Sequence, residues 1–126
     1  MTIRKVLLVD DDPDIRSIGT LSLRNVGKWQ VVVADSGAAA VAAVIREQPE
    51  LVLLDVMMPG LDGPTTLLRI RELHLTSPPT VIFLTAKSAE AELAHLIAIG
   101  AKGVIVKPFN PLLLPQKIRQ ILEAGS

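Results

Sequence analysis

The chain contains no cysteine and no tyrosine, and its aromatic side chains are limited to two phenylalanines and one tryptophan. The missing cysteine excludes disulfides, thiolate metal sites and cysteine nucleophiles, and fits a reducing compartment. With so few rings, any core must be aliphatic. Net charge is missing too, since 13 Lys plus Arg balance 13 Asp plus Glu. The composition therefore lacks the basic footprint that direct nucleic-acid binding needs. No apolar run approaches the roughly 20 residues of a membrane helix. The segment Ile3 to Val9 runs into aspartates before a signal-peptide core could form. What is present is a 126-residue chain that is 49% hydrophobic, the size of one domain with a proper core. The expectation is one soluble, cytoplasmic domain over residues 1–126, with neither a membrane nor a nucleic-acid partner.

Short apolar runs bounded by turn residues recur along the chain, the pattern of strands buried on both faces of a parallel sheet. They are Val6–Val9, Val31–Val33, Leu51–Leu54, Thr80–Leu84 and Gly103–Val106. Helical segments fall between them. Asp12 followed by Pro13 reads as a cap and first helical residue. Ile15, Ile18, Leu21 and Val26 offer that helix an inner stripe, and Gly27 ends it. Ser36 caps an alanine-rich helix that runs to about Glu47. Asp62 caps a third, opened by Gly63-Pro64 and carrying Leu67, Leu68, Ile70 and Leu73. Ser88 caps a fourth, which Gly100 ends. Pro115 falls where a long last helix would break, so a short turn at Pro111 to Leu113 is expected before a helix starting near Pro115. Five strands alternating with five helices imply right-handed crossovers and a parallel sheet covered on both faces.

The residues that follow the strands carry the chemistry. Asp10 and Asp11 follow the first strand, Asp55 the third, Thr85 the fourth and Lys107 the fifth. In an open parallel sheet these positions converge on one edge, where ligands bind. Three carboxylates there cannot all ionise without a counter-charge. An all-oxygen cluster suits a hard divalent ion such as Mg²⁺. A lysine and a hydroxyl suit phosphoryl oxygens, so the set contains the parts for phosphoryl transfer to an aspartate. Considered singly, Thr85 and Lys107 are ordinary residues; their place in the alternation sets them apart. His74 and His95 read as helix-surface residues, Met57 and Met58 as structural side chains, and Trp29 as a partly buried anchor. Leu96, Ile99, Leu112 and Leu113 are candidates for a partner patch.

Four ordered motifs span the chain: Leu8-Val9-Asp10-Asp11-Asp12-Pro13, Asp55-Val56-Met57-Met58-Pro59-Gly60-Leu61-Asp62-Gly63, Leu84-Thr85-Ala86, and Gly100-Ala101-Lys102-Gly103 through Lys107-Pro108-Phe109. In these the chain resembles the receiver domain of two-component response regulators. The resemblance implies an α/β fold, a flavodoxin-like doubly wound (βα)5 sandwich with strand order 2-1-3-4-5, the order found in a chemotaxis regulator. It implies that Asp55 is the phosphoacceptor, taking its phosphoryl group from a sensor histidine kinase or phosphotransfer protein. Mg²⁺ or Mn²⁺ would be held by Asp11, Asp55 and the backbone carbonyl of Met57, with Asp10 acting through a water. Lys107 would pair with Asp55 and then with the phosphate. Thr85 would supply the switch hydroxyl, and the backbone of Ala86 would lie near the phosphate. A cis Lys107-Pro108 bond is implied as well. Output would pass to a protein partner through the last two helices, with a phosphorylation-dependent homodimer as one form. Such a domain is not an enzyme beyond its own phosphorylation and slow self-dephosphorylation. The chain departs from the family at Val104, where relatives often carry Tyr or Phe three residues before the lysine. An aliphatic side chain cannot make their ring flip.

Three other functions share parts of this pattern. A haloacid-dehalogenase-like phosphatase would use Asp10-x-Asp12, but it needs an acidic pair beyond the lysine, and only Glu123 follows Lys107. An FMN-binding flavodoxin would need a Ser/Thr/Gly-rich loop where three aspartates stand. A pseudo-receiver, folded but never phosphorylated, is the binding-module alternative.

Overall fold

A computed structural model describes residues 2–124. Strands β1 (Lys5–Val9), β2 (Gln30–Ala34), β3 (Leu51–Asp55), β4 (Thr80–Thr85) and β5 (Gly103–Val106) alternate with helices α1 (Pro13–Leu21), α2 (Gly37–Glu47), α3 (Gly63–Glu72), α4 (Glu90–Ala98) and α5 (Leu114–Glu123). All neighbouring strands are parallel, in the order β2-β1-β3-β4-β5. The chain thus has the expected flavodoxin-like, doubly wound α/β fold. None of the described helices is long and apolar enough to cross a membrane.

The alternation of side chains along each strand divides the core into two layers. Leu7, Val9, Val52, Leu54 and Phe83 pack with Ala40, Ala43, Val44, Leu67, Ile70 and Leu96, beneath α2, α3 and α4. Val6, Leu8, Leu51, Leu53, Ile82 and Leu84 pack with Leu23, Trp29, Leu114 and Ile118, beneath α1 and α5. All five residues of β3 are buried, as expected of a central strand covered on both sides.

The helix starts follow their caps. Asp12 accepts from the Asp14 N–H at 2.9 Å, Ser36 from Ala39 at 3.1 Å and Asp62 from Thr65 at 2.8 Å. α4 differs from expectation. It begins at Glu90 after Ala89, without a side-chain cap, because residues 86–89 leave the strand as a loop of their own. α5 starts at Leu114 with Pro115 in its first turn, after the expected turn.

The inner stripe expected of α1 is corrected. Ile18, Leu21 and Val26 are 42–60% exposed, while Gly19, Ser22 and Leu23 face the sheet. The cause is close approach: a Cβ on Gly19 would stand 2.6 Å from Leu8 Cδ2, so the helix rests on its glycine side. The helix then widens into a π-helical turn at Ser22–Val26, which shifts the phase that a regular 3.6-residue period assumes. Similarly, Leu68 on α3 is half exposed, and Thr66 takes the buried place.

Two polar ties hold α5 against this turn. The Ser22 hydroxyl donates to the Pro111 carbonyl, and Arg119 donates to the Gly27 carbonyl at 2.8 Å while its guanidinium lies 4.5 Å from the Trp29 ring centroid. Trp29, expected to be partly buried, is in fact buried. Because Arg119 is itself exposed, its cation–π and hydrogen-bond contributions together are modest. Arg119→Ala is expected to cost about 1 kcal/mol in urea unfolding, with an altered emission from the sole tryptophan. Unchanged stability and emission would show that the contact contributes nothing.

Candidate functional site

Four strand ends meet at the carboxyl edge of the sheet. Asp10 extends β1 by one residue: its N–H donates to the Ala34 carbonyl at 3.2 Å, and its carboxylate is buried. One Asp10 oxygen accepts from the Asp12 N–H at 3.0 Å, and the other accepts from Lys107 Nζ at 2.9 Å. Lys107 follows β5 and reaches across the edge to Asp55 as well, with Nζ 3.0 Å from Asp55 Oδ1. Asp55 closes β3 and is 4% exposed, whereas Asp11 stands in solvent. Asp10, Asp11 and Asp55 each offer a carboxylate oxygen, and these oxygens all lie within 4.8 Å of one another.

The charges are unbalanced. Burial pushes the Asp55 carboxyl up from 3.8 to about 6, against the Lys107 hydrogen bond that favours its anion; the charges of Asp10 and Asp11 add to the rise. At Lys107, burial opposes the ammonium, but its bonds to Asp10 and Asp55 outweigh it and hold the pKa above that of an ordinary lysine. One ammonium thus serves two buried carboxylates beside a third. A donor set of carboxylate oxygens with too little positive charge fits a hard divalent cation.

The loop after Asp55 is shaped by close contact. The Gly63 N–H donates to the Val56 carbonyl at 2.9 Å, and a Cβ on Gly63 would stand 2.4 Å from the Asp55 carbonyl oxygen. Gly60, at φ +75°, supplies the left-handed turn. Met58 is buried beneath the loop, but Met57 is 65% exposed, which corrects the expectation of a structural side chain there. Thr85 is buried, and its hydroxyl accepts from the Lys87 N–H at 3.1 Å, within its own loop. Ala86 is exposed at the rim of the site. The Lys107-Pro108 bond is cis.

The site also contains features that sequence reasoning missed. Arg16, on the first turn and a half of α1, donates to the Asp10 carbonyl at 2.9 Å and so fixes the strand end that presents Asp10. Nothing in the sequence marked it, since an arginine on a helix is usually a solvated charge. The Lys107–Asp10 contact was likewise not foreseen, because pairing was expected with Asp55 alone. The proposed partner patch is corrected in part: Leu96 is 5% exposed and Ile99 is half-buried against the core, whereas Leu112 and Leu113 are 72% and 51% exposed, and Ile97, which was not expected in the patch, is 47% exposed.

A five-stranded doubly wound sheet with three acids and a lysine at its carboxyl edge defines a receiver-type signalling domain. The chain belongs to the response regulator receiver domain family, whose profile matches residues 6–119. It is 40% identical over 119 residues to the probable transcriptional regulator ycf27 of Cyanophora paradoxa, covering 94% of this chain and 48% of that protein. It is 35% identical over 116 residues to the DNA-binding response regulator MtrA of Mycolicibacterium smegmatis, covering 92% of this chain and 49% of that protein. The chain therefore spans about half the length of these curated relatives. Among solved structures, the chemotaxis response regulator CheY4 of Vibrio cholerae superposes with a TM-score of 0.86 at 28% identity, covering 95% of this chain and 99% of that one. The receiver domain of Klebsiella pneumoniae RstA gives 0.77 at 33% identity, with coverages of 95% and 99%. Residues 6–119 are accordingly a response regulator receiver domain, a signalling domain of two-component systems.

Proposed function

We propose that residues 1–126 form one receiver unit in which Asp55 accepts a phosphoryl group from a phosphohistidine on a sensor kinase or phosphotransfer protein. The observation that carries this is the convergence of Asp10, Asp11 and Asp55 within 4.8 Å, with Lys107 paired to the buried carboxylates. Asp55 Oδ attacks phosphorus, the new O–P bond forms as the N–P bond breaks, and the leaving imidazole retains the electron pair and takes up a proton. With a pKa of about 6, Asp55 is largely the nucleophilic carboxylate at neutral pH. Asp11, Asp55 and the Met57 carbonyl would hold Mg²⁺ or Mn²⁺, with Asp10 contributing through a water. The bound ion supplies charge neutralisation on the phosphoryl oxygens. Lys107 passes from the carboxylate to the phosphate, and the Ala86 N–H lies at the rim to meet it. Thr85 exchanges its Lys87 N–H partner for a phosphoryl oxygen, which reorganises the loop before α4. That loop, rather than a rotating ring, carries the change, because position 104 is valine.

The altered surface is read by a protein partner at α4 and α5, with Ile97 exposed on α4 and Leu112 and Leu113 exposed in the turn before α5. MtrA carries DNA-binding in its name, and any such activity in a longer form of this protein would belong to a segment outside residues 1–126. The direct test is phosphorylation by acetyl phosphate with Mg²⁺, read by intact mass.

Phosphoryl lifetime provides a second check. Met57 is exposed beside Asp55, and Lys87 leans away toward Glu92, 3.7 Å distant. Both flank the approach of a hydrolytic water, so phosphate loss is expected to be slow, and Met57→Ala is expected to speed it several-fold in a decay time course. Rapid loss that is identical in the variant would refute the shielding role.

A further inference from the structure

β2 is the outer strand of the sheet, and no described strand pairs with its far side. On its inner side, the Gln30 N–H donates to the Arg4 carbonyl, and the Ala34 carbonyl accepts from Asp10. Backbone groups of alternate residues point the same way in a strand. Gln30, Val32 and Ala34 therefore turn theirs toward β1, and Val31 and Val33 turn theirs outward. Exposed edges are normally guarded by a lysine, a proline or a bulge. Within Gln-Val-Val-Val-Ala there is no such guard, and Val33 is 46% exposed. The flanking charges are exposed and opposite, Lys28 before the strand and Asp35 after it.

We propose that this edge pairs with β2 of a second copy of the chain, antiparallel, about a two-fold axis normal to the sheet at Val32. Such an axis keeps each sheet face on its own side, so a residue can meet only one an even number of positions away. Centred on Val32, Val31 meets Val33 of the second copy, and each such pair exchanges both outward N–H and C=O groups. Val33 gains a cross-strand neighbour on the face of α1 and α5, and Val32 meets its own image on the face of α2. Lys28 arrives within one residue of Asp35 in the second copy, so the strand ends are complementary in charge. Centring on Val31 would instead oppose Val33 to Trp29, whose N–H already donates to the Leu23 carbonyl at 3.2 Å. Centring on Val33 would oppose Val31 to Asp35. The result is a continuous ten-stranded sheet, at the opposite edge from β5 and independent of phosphorylation.

Sedimentation of the unphosphorylated full chain without Mg²⁺ is expected to show a concentration-dependent dimer. Val33→Lys and Val33→Pro are each expected to weaken it by at least about tenfold. Both variants should keep the native circular dichroism, because the Val33 N–H bonds no strand of its own sheet. The absence of native cysteine permits a test of register. Facing residues of a non-hydrogen-bonded pair lie about 4.5 Å apart at Cα, within disulfide range. Val32→Cys should therefore oxidise readily to a covalent dimer, and Ser88→Cys, on an exposed loop elsewhere, should not. A chain that stays monomeric, leaving the edge to an extended segment of another protein, overturns the proposal. So does a dimer untouched by both Val33 variants, and failure of Val32→Cys to cross-link overturns the register.

Discussion

Asp55→Asn is expected to abolish phosphoryl uptake. Wild-type protein incubated with acetyl phosphate and Mg²⁺ should gain the mass of one phosphoryl group, and the variant should gain none. The expectation follows from geometry and chemistry together. Asp55 is buried at the end of the central strand, with its carboxylate held by Lys107 at 3.0 Å and shared with the acidic cluster. An amide of the same shape cannot act as the nucleophile. Asp10 is equally buried but accepts from both Asp12 N–H and Lys107, which leaves it engaged rather than free to attack. Asp11 is exposed, without the lysine that neutralises a product phosphate. Phosphorylation that persists in Asp55→Asn would remove the central claim, and phosphorylation absent from wild type would favour the pseudo-receiver reading. Removing Mg²⁺ with EDTA should slow uptake in wild type; EDTA without effect would mean that the acidic cluster serves another purpose.

The same substitution is expected to stabilise the metal-free protein. Asp55 titrates at about 6 in the folded chain, against 3.8 as its ordinary value, because burial penalises its charge. Between those values the folded state binds more protons than the unfolded state, so stability from this group falls as pH rises through the window. The loss is complete above about pH 6 and amounts to at most about 3 kcal/mol. Asp55→Asn carries no such penalty. The difference between wild type and variant, measured by urea unfolding in EDTA, should be small near pH 4 and grow toward pH 7 in the variant's favour. Glu47 and Glu50, both held below the usual carboxylate range, contribute the opposite slope. They do so equally in both proteins and cancel in the difference. Mg²⁺ should then stabilise wild type, by about 2.7 kcal/mol at a hundredfold excess over its dissociation constant, and the variant less. A variant that is less stable than wild type at pH 7 in EDTA would mean that the Lys107 pairing outweighs burial.

Much of this site was legible before folding because two local signals coincide with it. An aliphatic run ending in an acid marks a buried strand and its carboxyl end at once, as in Leu51–Asp55. Ordered motifs then identify which strand ends meet. Less legible was everything set by the depth at which a helix sits. Ile18 and Leu21 look like core residues by spacing, yet Gly19 against Leu8 rotates α1 so that they face solvent. Ser88 looks like a cap, yet α4 starts later because the Thr85 hydroxyl organises the preceding loop around the Lys87 N–H. Leu96 and Ile97 are adjacent in sequence, and only packing on the sheet assigns one to the core and the other to the surface.

The sequence by itself determined the α/β alternation, the absence of thiol chemistry, the four strand-end residue sets and the family. Those properties reside in composition and in short runs whose periodicity and turn residues are local. The tertiary structure alone decided that Lys107 serves Asp10 as well as Asp55, that Arg16 holds the Asp10 carbonyl, and that Asp55 titrates near 6. It also decided that Val31 and Val33 present their backbone at an open edge. Each of these depends on distances between segments far apart in the chain and on how much water their packing excludes. Coulomb energy and desolvation are set by such distances, and no local pattern of residues encodes them.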